Sequence, residues 1–148
     1  MGEGMILAHS WLRWALLITL VGAVLGSILG IAGNKAYGAT NKRLALFTTI
    51  MADIQLLLGL VLYVGFSALT KTAMQDFGQA MATPELRFYA VEHVLAMVIG
   101  IALLHIGKVK ATKAETDRSK HMKTLIFFGI ALVVIMSRIP WEAGRLGF

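Results

Sequence analysis

Four stretches of this chain, at roughly residues 5–32, 44–66, 86–107 and 124–141, are apolar for long enough to cross a bilayer. A spanning helix needs about 20 predominantly apolar residues, because each residue rises about 1.5 Å and the hydrocarbon layer is about 30 Å thick. Hydrocarbon offers no water to satisfy backbone N–H and C=O groups, so such stretches must be helical. Four spans use most of the 148 residues and leave too little chain for a soluble domain. Charged residues make up only 15% of the sequence, where soluble domains carry about 25%. The expected fold is all-α: a single domain over 1–148, an integral-membrane four-helix antiparallel bundle.

The net charge of +6 suggests a nucleic-acid partner only until its distribution is considered. Lys35, Lys42 and Arg43 lie between spans one and two. Lys108, Lys110, Lys113, Arg118, Lys120 and Lys123 lie between spans three and four, against Glu115 and Asp117. Lys71, Asp76 and Glu85 in the middle connection nearly cancel. Short basic loops stay cytoplasmic, so both termini are expected outside an inner, cytoplasmic membrane that the chain crosses as a multi-pass protein. The excess charge then serves topology and attraction to anionic headgroups in the lipid bilayer, and no nucleic acid is expected. The chain has no cysteine, which excludes disulfides, thiolate metal sites and iron–sulfur clusters. The opening MGEGM lacks the basic region of a cleavable signal, so the first span is expected to be retained.

Gly22, Gly26 and Gly30 repeat at every fourth position of span one, a spacing that lets helices approach closely in lipid. Trp11 and Trp14 suit an outer interfacial belt. Asp53 and Gln55 in span two are about 200° apart around a helix and must face different neighbours. Ahead of span three, Thr83, Pro84 and Glu85 are suited to a cap, a first turn and the helix dipole. Residues 67–83, with Met74, Phe77 and Met81, are weakly amphipathic and read as a short helix on the outer surface.

Ionisable groups inside spans are costly and therefore mark functional sites. His9, on span one, and His93, about 10 Å into span three, both belong to the outer half of the membrane. Arg13 lies one turn deeper than His9. Ala90, Ala96 and Gly100 share the His93 face and leave a groove beside its ring. Two histidines on different helices, flat space between them and an arginine for a propionate together suit haem b, with His9 and His93 as its axial metal ligands and Arg13 and Gly100 beside it. The alternative is a polar network of Glu92 and Asp53 with the arginines. Glu92 is expected to pair with Arg138 or Arg13, and Asp53 to hydrogen-bond to a neighbouring helix or to serve proton transfer or quinone binding. His105 lies near the cytoplasmic end, with no second spanning histidine at its depth. His121, in the basic loop, is expected to be solvated or lipid-facing.

The segments HSWLRW (9–14), IQLLLGLVLY (54–63), LRFYAVEH (86–93), KVKATKAETDRSKHMK (108–123) and SRIPW (137–141) resemble a family of small four-span membrane proteins, often labelled cytochrome b-like, widespread in the Bacteroidetes and their relatives. The resemblance covers nearly the whole chain. It implies a haem-binding electron carrier working with quinol or a respiratory complex, with His9, His93, Arg13 and Glu92 at the family's positions. One position departs: two residues before Gln55 the family commonly has histidine, where this chain has Asp53. That departure favours the rival reading, a non-catalytic accessory subunit packed in a larger energy-converting complex, with lipid or quinone in place of haem. A respiratory complex or a second copy of the chain, as a homodimer, is the expected protein partner.

The loop charges carry their own test. Lys42→Cys and Lys113→Cys should react with a membrane-impermeant maleimide only after permeabilisation. Labelling of either in intact cells would overturn the topology.

Overall fold

A computed structural model describes residues 2–141. Four helical segments are long and apolar enough to span a membrane: Gly2–Ala32, Ala39–Phe66, Pro84–Lys113 and Asp117–Ser137. They comprise α1 (Gly2–Ala32), α2 (Ala39–Val61), α6 (His93–Lys113) and α7 (Asp117–Ser137) with adjoining pieces, and α3 (Ala68–Gln75), α4 (Phe77–Ala82) and α5 (Pro84–Arg87) connect the second span to the third. The protein is therefore an all-α, multi-pass membrane protein built as a four-helix bundle. α1 packs on α2 and α7, and α6 packs on α7 and α2. The four spans thus close a ring in which every neighbour runs antiparallel, as short connections require.

The core lies where the ring closes. Leu16, Leu17, Leu20 and Ala23 of α1 meet Ala45 and Ala52 of α2, Ile101 and Leu104 of α6, and Phe128, Ala131 and Ile135 of α7. The outward faces remain apolar, with Ile18, Leu29, Leu57 and Val133 each more than 60% exposed. In water such faces would aggregate; in lipid they are the expected surface.

Span ends differ from the sequence reading, longer on the basic side and, for α7, shorter on the other. α6 runs on to Lys113 and α7 begins at Asp117, capped by the Thr116 hydroxyl, which accepts from the Ser119 N–H at 3.2 Å. Both helices therefore project beyond hydrocarbon on the basic side. α7 ends at Ser137, so Arg138–Trp141 are not part of the helix. The surface element over 67–83 is two short helices, α3 and α4, whose caps are Ser67 and Asp76. Thr83 makes no side-chain cap for α5; its hydroxyl donates backward to the Gln79 carbonyl at 3.0 Å.

Two five-residue π-helical segments, Leu62–Phe66 and Phe88–Glu92, flank this outer layer. A π turn widens the helix and frees carbonyls, and such turns often mark functional sites. Here the Tyr63 hydroxyl donates to the Ala90 carbonyl at 2.9 Å, and the Thr70 hydroxyl donates to the Tyr63 carbonyl at 2.7 Å. One carbonyl of each irregular segment is thus satisfied within protein, Ala90 by the other segment and Tyr63 by α3, the condition under which non-helical backbone is tolerated at membrane depth.

The glycines of α1 serve two neighbours. A Cβ at Gly22 would stand 3.5 Å from Leu44, and one at Gly26 3.3 Å from the Asn41 amide, both on α2. A Cβ at Gly30 would instead drive into the His121 ring of α7. His121 is 1% exposed, which corrects the expectation of a solvated or lipid-facing side chain. The reason is this glycine: with no Cβ there, the ring tucks against α1. Its Nε2 donates to the Lys35 carbonyl at 3.2 Å and its face is covered by Tyr37 at 4.9 Å. The Tyr37 hydroxyl is 3.0 Å from that of Thr124, and burial pushes the phenol above its usual pKa, keeping it protonated. Asn34, in the left-handed conformation at φ 48°, ends α1 and turns the chain into this lock.

Overpacking of this kind costs about 1–3 kcal/mol. Gly30→Ala should lower the thermal midpoint in detergent markedly, whereas Gly22→Ala, meeting ordinary contact, should leave it nearly unchanged. Recovery of the Gly30→Ala loss by His121→Ala would identify the ring as the obstruction.

Candidate functional site

Beneath the outer layer the bundle contains a cavity of about 450 Å³ whose walls include His9, Arg13, Leu16, Gln55, Gly59 and His93. That volume lies within the range of about 300–1,000 Å³ typical of small-molecule pockets. α1, α2 and α6 supply these polar groups, and Tyr63, Ser67, Thr70 and Tyr89 add others from the outer end. Apolar side chains such as Leu60, Phe66, Met97 and Ile135 supply most of the remaining wall.

His9 and His93 meet across this cavity. Their ring centroids are 6.5 Å apart and their planes 71° apart. His93 immediately follows the second π segment, so the wider turn sets the direction in which α6 presents it. Its Nδ1 lies 2.7 Å from the Arg138 carbonyl. A carbonyl only accepts, so Nδ1 carries the proton and Nε2 keeps its lone pair when the ring is neutral. Phe88 flanks the same ring at 6.0 Å.

His9 is held differently. The Gln55 amide nitrogen donates to the His9 backbone carbonyl at 2.7 Å, tying α2 to α1 at this level. A Cβ added at Gly59 would lie 3.3 Å from His9 Cε1, so the glycine leaves room for the ring. His9 Nδ1 and Gln55 Oε1 are both buried without a hydrogen-bond partner among the described residues. Buried polar atoms are ordinarily satisfied, and exceptions call for an explanation such as an absent ligand. Arg13 is 7% exposed and its guanidinium lies 5.6 Å from the Trp14 ring centre.

Other residues of the sequence reading fall elsewhere. Gly100 does not line the cavity; it faces α7, where a Cβ would stand 2.6 Å from Ile135, so its role is helix packing. Glu92 lies 3.6 Å from Arg138 but only 2.8 Å from Arg87, a partner that the sequence did not single out. Arg87 also donates to the Met81 carbonyl at 3.0 Å and so joins α4 to the start of span three. Asp53 leaves the cavity altogether and bonds His105 of α6 at 2.7 Å. Among the described residues no group of three His, Cys, Asp or Glu side chains is placed to hold a metal ion; the cavity offers a pair of imidazoles.

Comparison with protein-family models, with curated proteins and with solved structures gives no match. The site must be interpreted from its own chemistry.

Glu92 and its arginines are 30–46% exposed, which puts this pairing in the range of screened ion pairs, about 0.2–1 kcal/mol each. Glu92→Gln should therefore cost on the order of 1 kcal/mol in a detergent melt, and Glu92→Gln combined with Arg87→Gln should cost less than the sum of the two. Strict additivity would show that the pair does not couple.

Proposed function

We propose that this protein is a small b-type cytochrome of the inner membrane, with haem b held by His9 and His93. The observation that carries the reading is the pair of imidazoles, brought from α1 and α6 to opposite sides of one cavity. The two rings stand close enough across the cavity that both imidazoles would hold one haem iron between them. The ring centroids lie at 6.5 Å. The Arg138 carbonyl on His93 Nδ1 is the kind of outer contact that fixes a ligating histidine's tautomer and ring direction. Gly59 clears space beside His9, and the Arg13 guanidinium in the cavity wall supplies the cation that a propionate needs.

Bound haem would supply one-electron redox chemistry at this site. The chain's part is to fix the two rings, exclude water with the outer layer α3–α5 and set the local charge. HSWLRW and LRFYAVEH, two segments that carry the resemblance to the cytochrome b-like family, contain His9, Arg13 and His93, so membership of that family and electron exchange with quinol or a respiratory complex belong to the same proposal.

The mainly apolar wall favours a second reading. Leu16, Leu60, Met97 and their neighbours would accept a lipid or quinone tail, and the protein would then be a non-catalytic subunit of an energy-converting complex.

A reduced-minus-oxidised spectrum of protein purified from haem-replete cells separates the two. The cytochrome reading expects a Soret band and an α-band, both abolished by His9→Ala or His93→Ala and retained in Asp53→Asn. A colourless protein that co-purifies with a larger complex would replace it with the second reading.

A further inference from the structure

Asp53 and His105 form an acid–imidazole pair on the outside of the bundle. Their side chains are 50% and 47% exposed while Nε2 and Oδ1 are 2.7 Å apart, on the outward surface of the bundle. A polar pair in that position is costly unless it meets something. Each partner keeps one further polar atom outside this bond, His105 Nδ1 and the second carboxyl oxygen of Asp53. Neither atom has a partner among the described residues. The pair therefore offers an imidazole nitrogen and a carboxyl oxygen side by side on the outward face of the bundle.

A quinol hydroxyl, which donates and accepts through one oxygen, fits that arrangement, and a quinone carbonyl fits the tautomer in which Nδ1 carries the proton. Lipid-soluble head groups of this class also reach an outward-facing pair from within the bilayer. The flanks argue against a second helix or second copy as the occupant. One turn either way from the pair stand Ile50 and Leu57 on α2, and Ala102 and Val109 on α6, all exposed. Helices approach closely in lipid through small residues, and only Ala102 is small. A flat ring with an isoprenoid tail needs no such seam.

We propose that the Asp53–His105 pair is a lipid-accessible binding site for the head group of a membrane quinone or quinol. It is separate from the His9–His93 cavity and independent of whether that cavity holds haem.

The test uses the whole protein in phosphatidylcholine nanodiscs with a decyl-tailed azidobenzoquinone as photoprobe and decylubiquinone as competitor. Labelling should be saturable, competed, and confined to peptides within 46–60 and 98–109. It should fall at least tenfold in Asp53→Leu/His105→Leu. Labelling confined to peptides of the cavity, such as 6–17, would overturn the proposal. So would labelling unchanged in the double variant. A wild-type dimer that the double variant converts to monomer, without probe labelling in the wild type, would also overturn it by making the pair an interface between copies. The map on the wild-type protein decides the matter even where the variant misfolds. Because no haem is needed, failure here is distinct from failure of the spectrum.

Discussion

In hydrocarbon a polar side chain has no water to fall back on, and the polar groups of this protein are placed accordingly, on contacts between segments. Gln55 of α2 takes the carbonyl of His9 on α1. His93 of α6 takes the carbonyl of Arg138 just past α7. Tyr63 reaches from one π segment to Ala90 in the other, and Asp53 joins α2 to α6. Apolar contacts hold the helices together without fixing register, because lipid tails are as apolar as Leu. These few directional bonds decide which faces meet and at what height. Moving one helix by a turn would leave several of them unmade.

The outer end shows what such bonds permit. Two π segments interrupt regular helix on either side of α3–α5. Each widens its helix at the level of the cavity, and each would expose backbone carbonyls if left alone. Thr70, Tyr63 and Lys71 fill that role; the Lys71 ammonium donates to the Gly65 carbonyl at 2.8 Å. The consequence is functional. His93 emerges directly after the second π segment, aimed at α1 across open space instead of at a packed neighbour.

At the opposite end the same constraint yields a closed structure. His121, Tyr37 and Thr124 fill the space that Gly30 leaves. His121 Nδ1 remains buried without a partner among the described residues, so the cluster trades one unsatisfied nitrogen for close packing of α1 on α7. One end of the bundle is therefore tight and the other hollow, and the candidate cofactor residues lie at the hollow end.

The sequence by itself determined the number of spans, their helical state and their antiparallel order, because hydrocarbon thickness and backbone satisfaction admit nothing else for four such apolar runs. It also marked His9, Arg13 and His93, since ionisable groups inside spans stand out against their surroundings. What it could not fix were facings that depend on a few degrees of helix rotation. Gly100 shares the His93 stripe on an ideal α-helix, yet packs against Ile135. Glu92 found Arg87 as well as Arg138 because α5 and the π turn fold back on each other locally. Asp53 and His105 are 52 residues apart in sequence, on helices whose relative height no local pattern records. His121 sat in a basic loop by composition but on a projecting α7 by structure, where a missing Cβ on another helix buried it. Tertiary packing decided these four because each depends on the partner's side chain, or its absence, on a different segment.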